Sequence, residues 1–360
     1  MSSSVFILGA GASKAAGAPI MAEFLDVAQN LLNRSDGVAD KSDFEKVFEA
    51  IGTLQSAQAK SKLNLTNIES VLSAFEMARI LGRMGDAKSE GIEDLAKSVR
   101  KVIVRTLEET MAFPFRKDGI LPPQGYDQFA ELIGYLRMEA DPKHSVSVIT
   151  FNYDIGLDYA LHYKGINATY SLDKDGADYN GLPLLKLHGS INWAYCPTCS
   201  KVLPLTMKDY YQRFPHGHVI STPDHLNIRI SDALHSLNHA NDHPYDPMSL
   251  IVPPAINKTD YYQSMHMVWK RAAHELSEAE NIFISGYSLP ETDIFFRYLF
   301  SLGTIGKKPL RKIWVFDIDD SGDIEKRFRG LLGTGALERF KYFKAKFIEL
   351  PEIIKKEFKS

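Results

Sequence analysis

Five places in the sequence end an apolar run in glycine or a polar side chain, and each has the chemistry to handle a nucleotide. The first is Val5-Phe6-Ile7-Leu8-Gly9-Ala10-Gly11-Ala12-Ser13, which then turns helical through Lys14-Ala15-Ala16. Glycine at 9 and 11 permits a tight turn and lets backbone N–H groups approach a phosphate, while a helix N-terminus adds partial positive charge. The third glycine of a dinucleotide fingerprint is replaced, with Gly17 arriving late. The second, Val148-Ile149-Thr150-Phe151-Asn152-Tyr153-Asp154, puts polar groups at a strand's carboxyl end, where open α/β sheets make ligand contacts. Asn152 or Asp154 equally suits the N-cap of a helix through Leu157 and Leu161. The third is Leu184-Leu185-Lys186-Leu187-His188-Gly189-Ser190. Its histidine can be a general base near neutral pH, a donor to a sugar, or a structural hydrogen-bonder. The fourth, Ile282-Phe283-Ile284-Ser285-Gly286-Tyr287-Ser288, repeats the order of strand, glycine and hydroxyl. The fifth, Trp314-Val315-Phe316-Asp317, ends in a carboxylate suited to ribose hydroxyls or to capping a helix.

A sheet must bring these ends to one edge. Short apolar, β-branched or aromatic runs at Val5–Leu8, Val146–Phe151, Leu184–Leu187, Leu250–Val252, Asn281–Ser285 and Lys312–Asp317 suit buried parallel strands. A weaker run lies at Lys346–Leu350. Between the first two strands, residues 20–140 read mainly helical. The clearest helix starts at the capping box Thr66-Asn67-Ile68-Glu69 and continues through Val71, Leu72, Phe75, Ala78 and Leu81. Residues 36–43 and 82–92 read as loops, and Pro122-Pro123 marks re-entry toward the sheet. The expected fold is α/β: a Rossmann-like, mostly parallel sheet flanked by helices, with a large helical insertion after the first strand–helix unit. All 360 residues are expected to form a single catalytic domain. Its core takes in about 1–20 and 140–350, and a ribbon-like excursion covers about 193–247, where 206–247 is weakly periodic.

Composition narrows the function classes. A hydrophobic content of 44% with 24% charged residues fits a globular chain. A net charge of −3 gives no basic footprint for nucleic acid, so no direct nucleic-acid binding is expected. No apolar run is long enough to span a bilayer, and Met-Ser-Ser-Ser leads into a strand pattern without a basic n-region. Two cysteines make no disulfide framework. No membrane association and a cytoplasmic location are expected.

In order along the chain, these motifs resemble the sirtuin-like NAD-consuming family. Gly9-Ala10-Gly11-Ala12-Ser13 with Gly17-Ala18-Pro19 is similar to that family's Gly-Ala-Gly-x-Ser and later Gly-x-Pro. Thr150-Phe151-Asn152-Tyr153-Asp154 is similar to its Thr-Gln-Asn-x-Asp, with phenylalanine for glutamine. Leu187-His188-Gly189 followed by Cys196-Pro197-Thr198-Cys199 matches its Leu-His-Gly and first Cys-x-x-Cys, and Gly286-Tyr287-Ser288-Leu289 its late Gly-[Thr/Ser/Tyr]-Ser-Leu. Protein-deacylating members follow Gly-x-Pro with Asp-Phe-Arg, whereas this chain reads Pro19-Ile20-Met21-Ala22-Glu23-Phe24. With the helical insertion, that departure makes the chain resemble the NAD hydrolases of bacterial anti-phage systems.

The resemblance implies NAD as substrate, with nicotinamide and ADP-ribose as products. It implies Asn152 and His188 as catalytic groups, one orienting water or ribose, the other serving as base or ribose clamp. Gly9, Ala10, Gly11, Ser13, Pro19, Thr150, Asp154, Gly286, Ser288 and Asp317 would bind NAD, with the pyrophosphate over Gly9–Ser13 and the adenosine ribose at Asp317. It further implies a homo-oligomer and a partner protein, either a nucleic-acid-processing ATPase or an Argonaute-type sensor. An NAD-dependent protein deacylase and a non-catalytic NAD sensor are the alternatives. Cys196 and Cys199 are candidate zinc ligands. His216 and His218, or the knuckle-like His243-Pro244-Tyr245-Asp246, are the candidates to replace the second cysteine pair with mixed ligands; otherwise the ribbon holds by packing alone.

Overall fold

Runs that are apolar on both faces can be satisfied only between layers of helix, and that is how the chain uses them. The computed structural model describes residues 2–359 except 36, 57–62, 64, 85–88, 118, 141–142, 173–180, 197, 216–218, 222–224, 238, 240–245, 253–261, 292 and 307. One seven-stranded sheet runs in the order Phe340–Lys344, Lys312–Asp317, Asn281–Ser285, Ser2–Leu8, His144–Thr150, Leu182–Lys186, Ala168–Thr169. Every pairing in it is parallel. The expected Rossmann-like sheet is therefore present.

Helices occupy much of the segment between the first two strands. They run Phe24–Leu32, Lys41–Ser56, Ile68–Leu81, Ser89–Thr110 and Tyr126–Met138. Aromatic side chains join helix to sheet: Phe6 meets Phe129 of the Tyr126–Met138 helix at 5.1 Å between ring centroids, and its neighbour within the sheet, Phe283, at the same distance. Among the described residues no helix is long and apolar enough to cross a membrane.

Several boundaries differ from the sequence reading, each for a local reason. The helix expected from Thr66 is capped one residue later, where Asn67 Oδ1 accepts the Ser70 N–H at 2.8 Å. Helix, not loop, begins at Lys41 and at Ser89. The weak run at 346–350 is not a strand: the Glu349 carboxylate accepts the Lys346 N–H and a helix starts at Leu350. Pro351 fits that helix's first turn and lacks the N–H that a strand ladder would need. The final strand is the Phe-Lys-Tyr-Phe-Lys run before it, Phe340–Lys344. Leu250 does not join the parallel sheet. Its strand, Asp246–Ile251, pairs antiparallel with Gly189–Tyr195, which also pairs with Val202–Pro204. The weakly periodic 206–247 segment carries a helix, Met207–Arg213, capped by Thr206, and a short antiparallel pair, Val219–Ser221 with Leu226–Ile228.

Candidate active site

The order of the strands makes the crevice. From Ser2–Leu8 the chain first builds the sheet on one side, then returns to the other, so Leu8 ends between Thr150 and Ser285. Such a switch point is where an open parallel sheet leaves room for a ligand. The glycine-rich turns after Leu8 and after Ser285 interlock there. Gly9 N–H donates to Ser285 O at 3.0 Å and Gly11 N–H to Gly286 O at 2.9 Å. Gly286 has φ +63°, and a Cβ on it would lie 2.4 Å from the Ala12 nitrogen. The glycines are thus needed for the contact between the two turns. The two N–H groups expected to reach a phosphate are committed to that contact.

A cavity of about 860 Å³ opens at this edge. Of the residues singled out by sequence, Ala10, Gly11, Ser13, Pro19, Asn152, Asp154, His188, Gly286, Ser288 and Asp317 line it. Gly9 and Thr150 stand behind its wall. Gly9 O accepts from Asn152 Nδ2 at 2.9 Å, and Thr150 Oγ1 accepts the Asn152 N–H at 3.1 Å. Cys196 and Cys199 do not line the cavity and sit in a separate cluster.

Ser13 is the hub of the buried polar wall. Its hydroxyl donates to Asp154 Oδ2 at 2.6 Å, accepts from Asn152 Nδ2 at 2.8 Å, and lies 2.7 Å from the Tyr126 hydroxyl. A serine has one proton to give; with that proton on Asp154, Tyr126 must be the donor to Ser13. Asp154 Oδ1 accepts the Gly156 N–H at 2.9 Å, so this carboxylate also serves the capping role its position suggested. Burial raises the Asp154 carboxyl above the ordinary range, while the Ser13 hydrogen bond and the nearby Lys186 charge act against that shift. The Asn152 amide nitrogen is fixed by Gly9 O and Ser13, and its carbonyl oxygen makes no hydrogen bond among the described residues. Tyr126, on the helix that re-enters toward the sheet, gave no sequence signal beyond its place after Pro122-Pro123.

His188 is also buried at the cavity. Gly189 has φ +84°, which turns the chain from the Leu182–Lys186 strand into the hairpin, and Val252 N–H donates to His188 O at 2.8 Å. The imidazole meets the Phe151 ring edge-on, with 5.3 Å between centroids. Phe151 in turn stacks on Tyr287 at 3.9 Å. Phe151, the residue that departs from the resembled motif, thus provides packing between two cavity turns. His188 Nε2 lies 3.9 Å from Asp293 Oδ2, and Tyr287 donates to that same oxygen at 2.7 Å. Asp293 Oδ1 accepts the Phe296 N–H at 3.1 Å and caps the Ile294–Gly303 helix. The sequence reading passed over Asp293, although an Asp followed by an apolar helical run is an N-cap signature.

Lys186 carries a buried ammonium. It donates to Asp154 O at 2.7 Å, Asp158 Oδ2 at 2.8 Å and Ser190 Oγ at 2.6 Å. Tyr170 donates to the other Asp158 oxygen at 2.5 Å. All three ammonium protons are therefore used, which is what a charge in such a place requires. At the far end, Asp317 both faces the cavity and accepts the Asp319 N–H at 3.0 Å, and burial raises its carboxyl above the ordinary range.

Away from the cavity, Cys196 and Cys199 gather with His239, their donor atoms all within 4.8 Å of one another. Cys199 Sγ and His239 Nε2 are 3.0 Å apart. The replacement ligands expected at His216, His218 and His243 lie outside the described residues; His239 takes that place. Two thiols and an imidazole are zinc-type donors, but a structural zinc takes four. Among the described residues three are present, so this donor set alone does not complete a zinc site.

No protein-family model matches the chain, and no curated protein matches it. Among solved structures the chain is similar to Sir2 proteins. One is a Sir2 homolog–NAD complex, 14% identical with a TM-score of 0.45, covering 99% of this chain and 89% of the other. Another is Sir2Tm bound to a propionylated peptide, at 13% identity, TM-score 0.39, and 99% and 92% coverage. A third, a mutant Sir2 homologue–ADP ribose complex, is 12% identical with a TM-score of 0.41, covering 99% and 91%.

Proposed function

We propose that the cavity binds NAD and breaks its nicotinamide–ribose bond with water as the acceptor, giving nicotinamide and ADP-ribose. The observation that carries this reading is the convergence of Asn152 and His188, from two different strand ends, on one cavity at the sheet's switch point. Its volume of about 860 Å³ suits a ligand of dinucleotide size. Nicotinamide leaves as a neutral molecule from a cationic precursor, so the protein has no need to protonate it. It must hold the ribose, tolerate an oxocarbenium-like charge and place a nucleophile. Asn152, held rigid by Gly9 and Ser13, directs its free carbonyl oxygen at the water or ribose hydroxyls. His188 accepts the proton. Ala10, Gly11 and Ser13 face the pyrophosphate, and Asp317 the adenosine ribose.

The sequence resemblance extends this reading to the cell. The chain would act as a single catalytic domain in the cytoplasm, as a homo-oligomeric effector of anti-phage defence that depletes NAD. A nucleic-acid-processing ATPase or an Argonaute-type sensor would release its activity. The second reading is NAD-dependent deacylation. It is the one that an acylated-peptide complex among the structural neighbours brings to mind. It uses the same cavity with an acyl-lysine in place of water, and the missing Asp-Phe-Arg after Pro19 counts against it.

The test follows nicotinamide during incubation with NAD, with and without an acetylated peptide, and with and without a nucleic-acid-processing ATPase or Argonaute-type protein from the same cell. Release matched by ADP-ribose and independent of peptide is the expected result. Release only with peptide replaces hydrolysis by deacylation. NAD binding with no release under any of these conditions leaves a sensor.

A further inference from the structure

We propose that Asp293 is the electrostatic partner of His188, making the two a general-base pair for the attacking water. The inference rests on the hydrolase reading above. The two side chains come from different elements, the turn after the Leu182–Lys186 strand and the cap of the Ile294–Gly303 helix, yet both line the cavity. His188 Nε2 and Asp293 Oδ2 are 3.9 Å apart, within ion-pair distance. Asp293 is held from two further sides, by the Tyr287 hydroxyl on Oδ2 and the Phe296 N–H on Oδ1. Both are donors, and together they fix the direction of the carboxylate.

The chemistry then balances. A water oxygen forms a bond to the ribose anomeric carbon as the carbon–nitrogen bond to nicotinamide breaks, and the electron pair leaves with nicotinamide. The water proton passes to His188, and the resulting imidazolium lies beside the Asp293 carboxylate. A carboxylate beside the ring stabilises its protonated form, so the imidazole is a stronger base than it would be in the same place without that partner. Tyr153, whose ring centre is 6.3 Å from the imidazole, and Tyr287, bound to Asp293, are titratable side chains of the same region. The same cavity also holds Glu23, Glu69, Asp154 and Asp317. Asp293 is the acidic group in ion-pair contact with the ring. Asp293 acts through His188 and is a positioning residue.

The test is Asp293→Asn, because asparagine caps a helix as well as aspartate does; it removes the charge together with the acceptor for the Tyr287 hydroxyl. Asp293→Ser, also a capping residue, serves as the second variant. The His188 titration is followed by NMR of histidine-labelled full-length protein, with the resonance assigned by its loss in His188→Gln. The His188 pKa is expected to fall by about one unit in both variants. The kcat for nicotinamide release should fall on the order of ten- to a hundredfold, with the KM for NAD within about twofold of wild type. An unchanged His188 titration overturns the pairing, and a lowered pKa with unchanged kcat overturns its role in the reaction. The NMR measurement stands whether or not the wild-type protein releases nicotinamide; wild-type silence defeats the hydrolase reading and leaves the pairing to be decided by the titration.

Discussion

Ser13 and Asp154 are joined by a 2.6 Å hydrogen bond across 141 residues of sequence. One belongs to the turn after the first strand, the other to the turn after the second parallel strand. Through Asn152 and Tyr126 the same hydroxyl fixes most of one cavity wall. Ser13→Ala leaves the buried Asp154 Oδ2 without its donor and deprives Asn152 of an anchor. The expected loss is about 1–3 kcal/mol in urea unfolding. A change of a few tenths would mean that the hub is dispensable.

Asn152→Ala and His188→Ala address the reaction directly. Each should lower nicotinamide release by on the order of a hundredfold or more, since each removes a positioned polar group at the reacting centre. Circular dichroism should show the fold retained. Near-normal turnover in either variant would remove that residue from the catalytic pair.

Lys186→Met tests the support beneath the site. It leaves Asp158 as a buried carboxylate with the Tyr170 hydroxyl but no counter-charge. Breaking a buried ion pair from one side costs about 3–5 kcal/mol. The double variant Lys186→Met, Asp158→Asn should recover much of that loss, and a strictly additive pair of losses would show that the two residues do not interact.

Glu108 supplies a pH signature independent of the cavity. Burial pushes its carboxyl from an ordinary 4.5 up to about 7, against the opposing pull of Arg105 and the Ser231 donors. The folded state therefore holds this proton over a range where the unfolded chain has released it. Stability from Glu108 is complete below about pH 4.5 and is lost as pH rises through 7. Comparing wild type with Glu108→Gln by urea unfolding from pH 4.5 to 8 should show the wild-type curve falling relative to the variant. Parallel curves would place the Glu108 titration outside this window.

What the sequence made legible follows from how local each signal is. Asn281–Ser285 and Lys312–Asp317 coincide with their expected bounds because a run apolar on both faces has few places to go except a buried parallel strand. The polar ends of those strands share an edge because parallel strands place all their carboxyl ends on one side. Asp293 was legible as a helix cap, but the cavity roles of Tyr126 and Asp293 were not, because they depend on what faces them, Ser13 and His188, which are distant in sequence. The Gly9 and Gly11 N–H groups show the reverse case. Their conformational freedom was legible, but its use was not, because the partner turn at Gly286 follows the neighbouring strand Asn281–Ser285, which is remote in sequence.

The cavity wall runs from Ala10 to Ile348, and the sheet that frames it is complete only when Phe340–Lys344 pairs with the strand at Lys312–Asp317. A polypeptide still leaving the ribosome cannot close this cavity until nearly all of this sequence has emerged. Under the proposed function, chains broken off before that strand lack part of the wall that would hold the dinucleotide, so unfinished copies are expected to leave NAD intact.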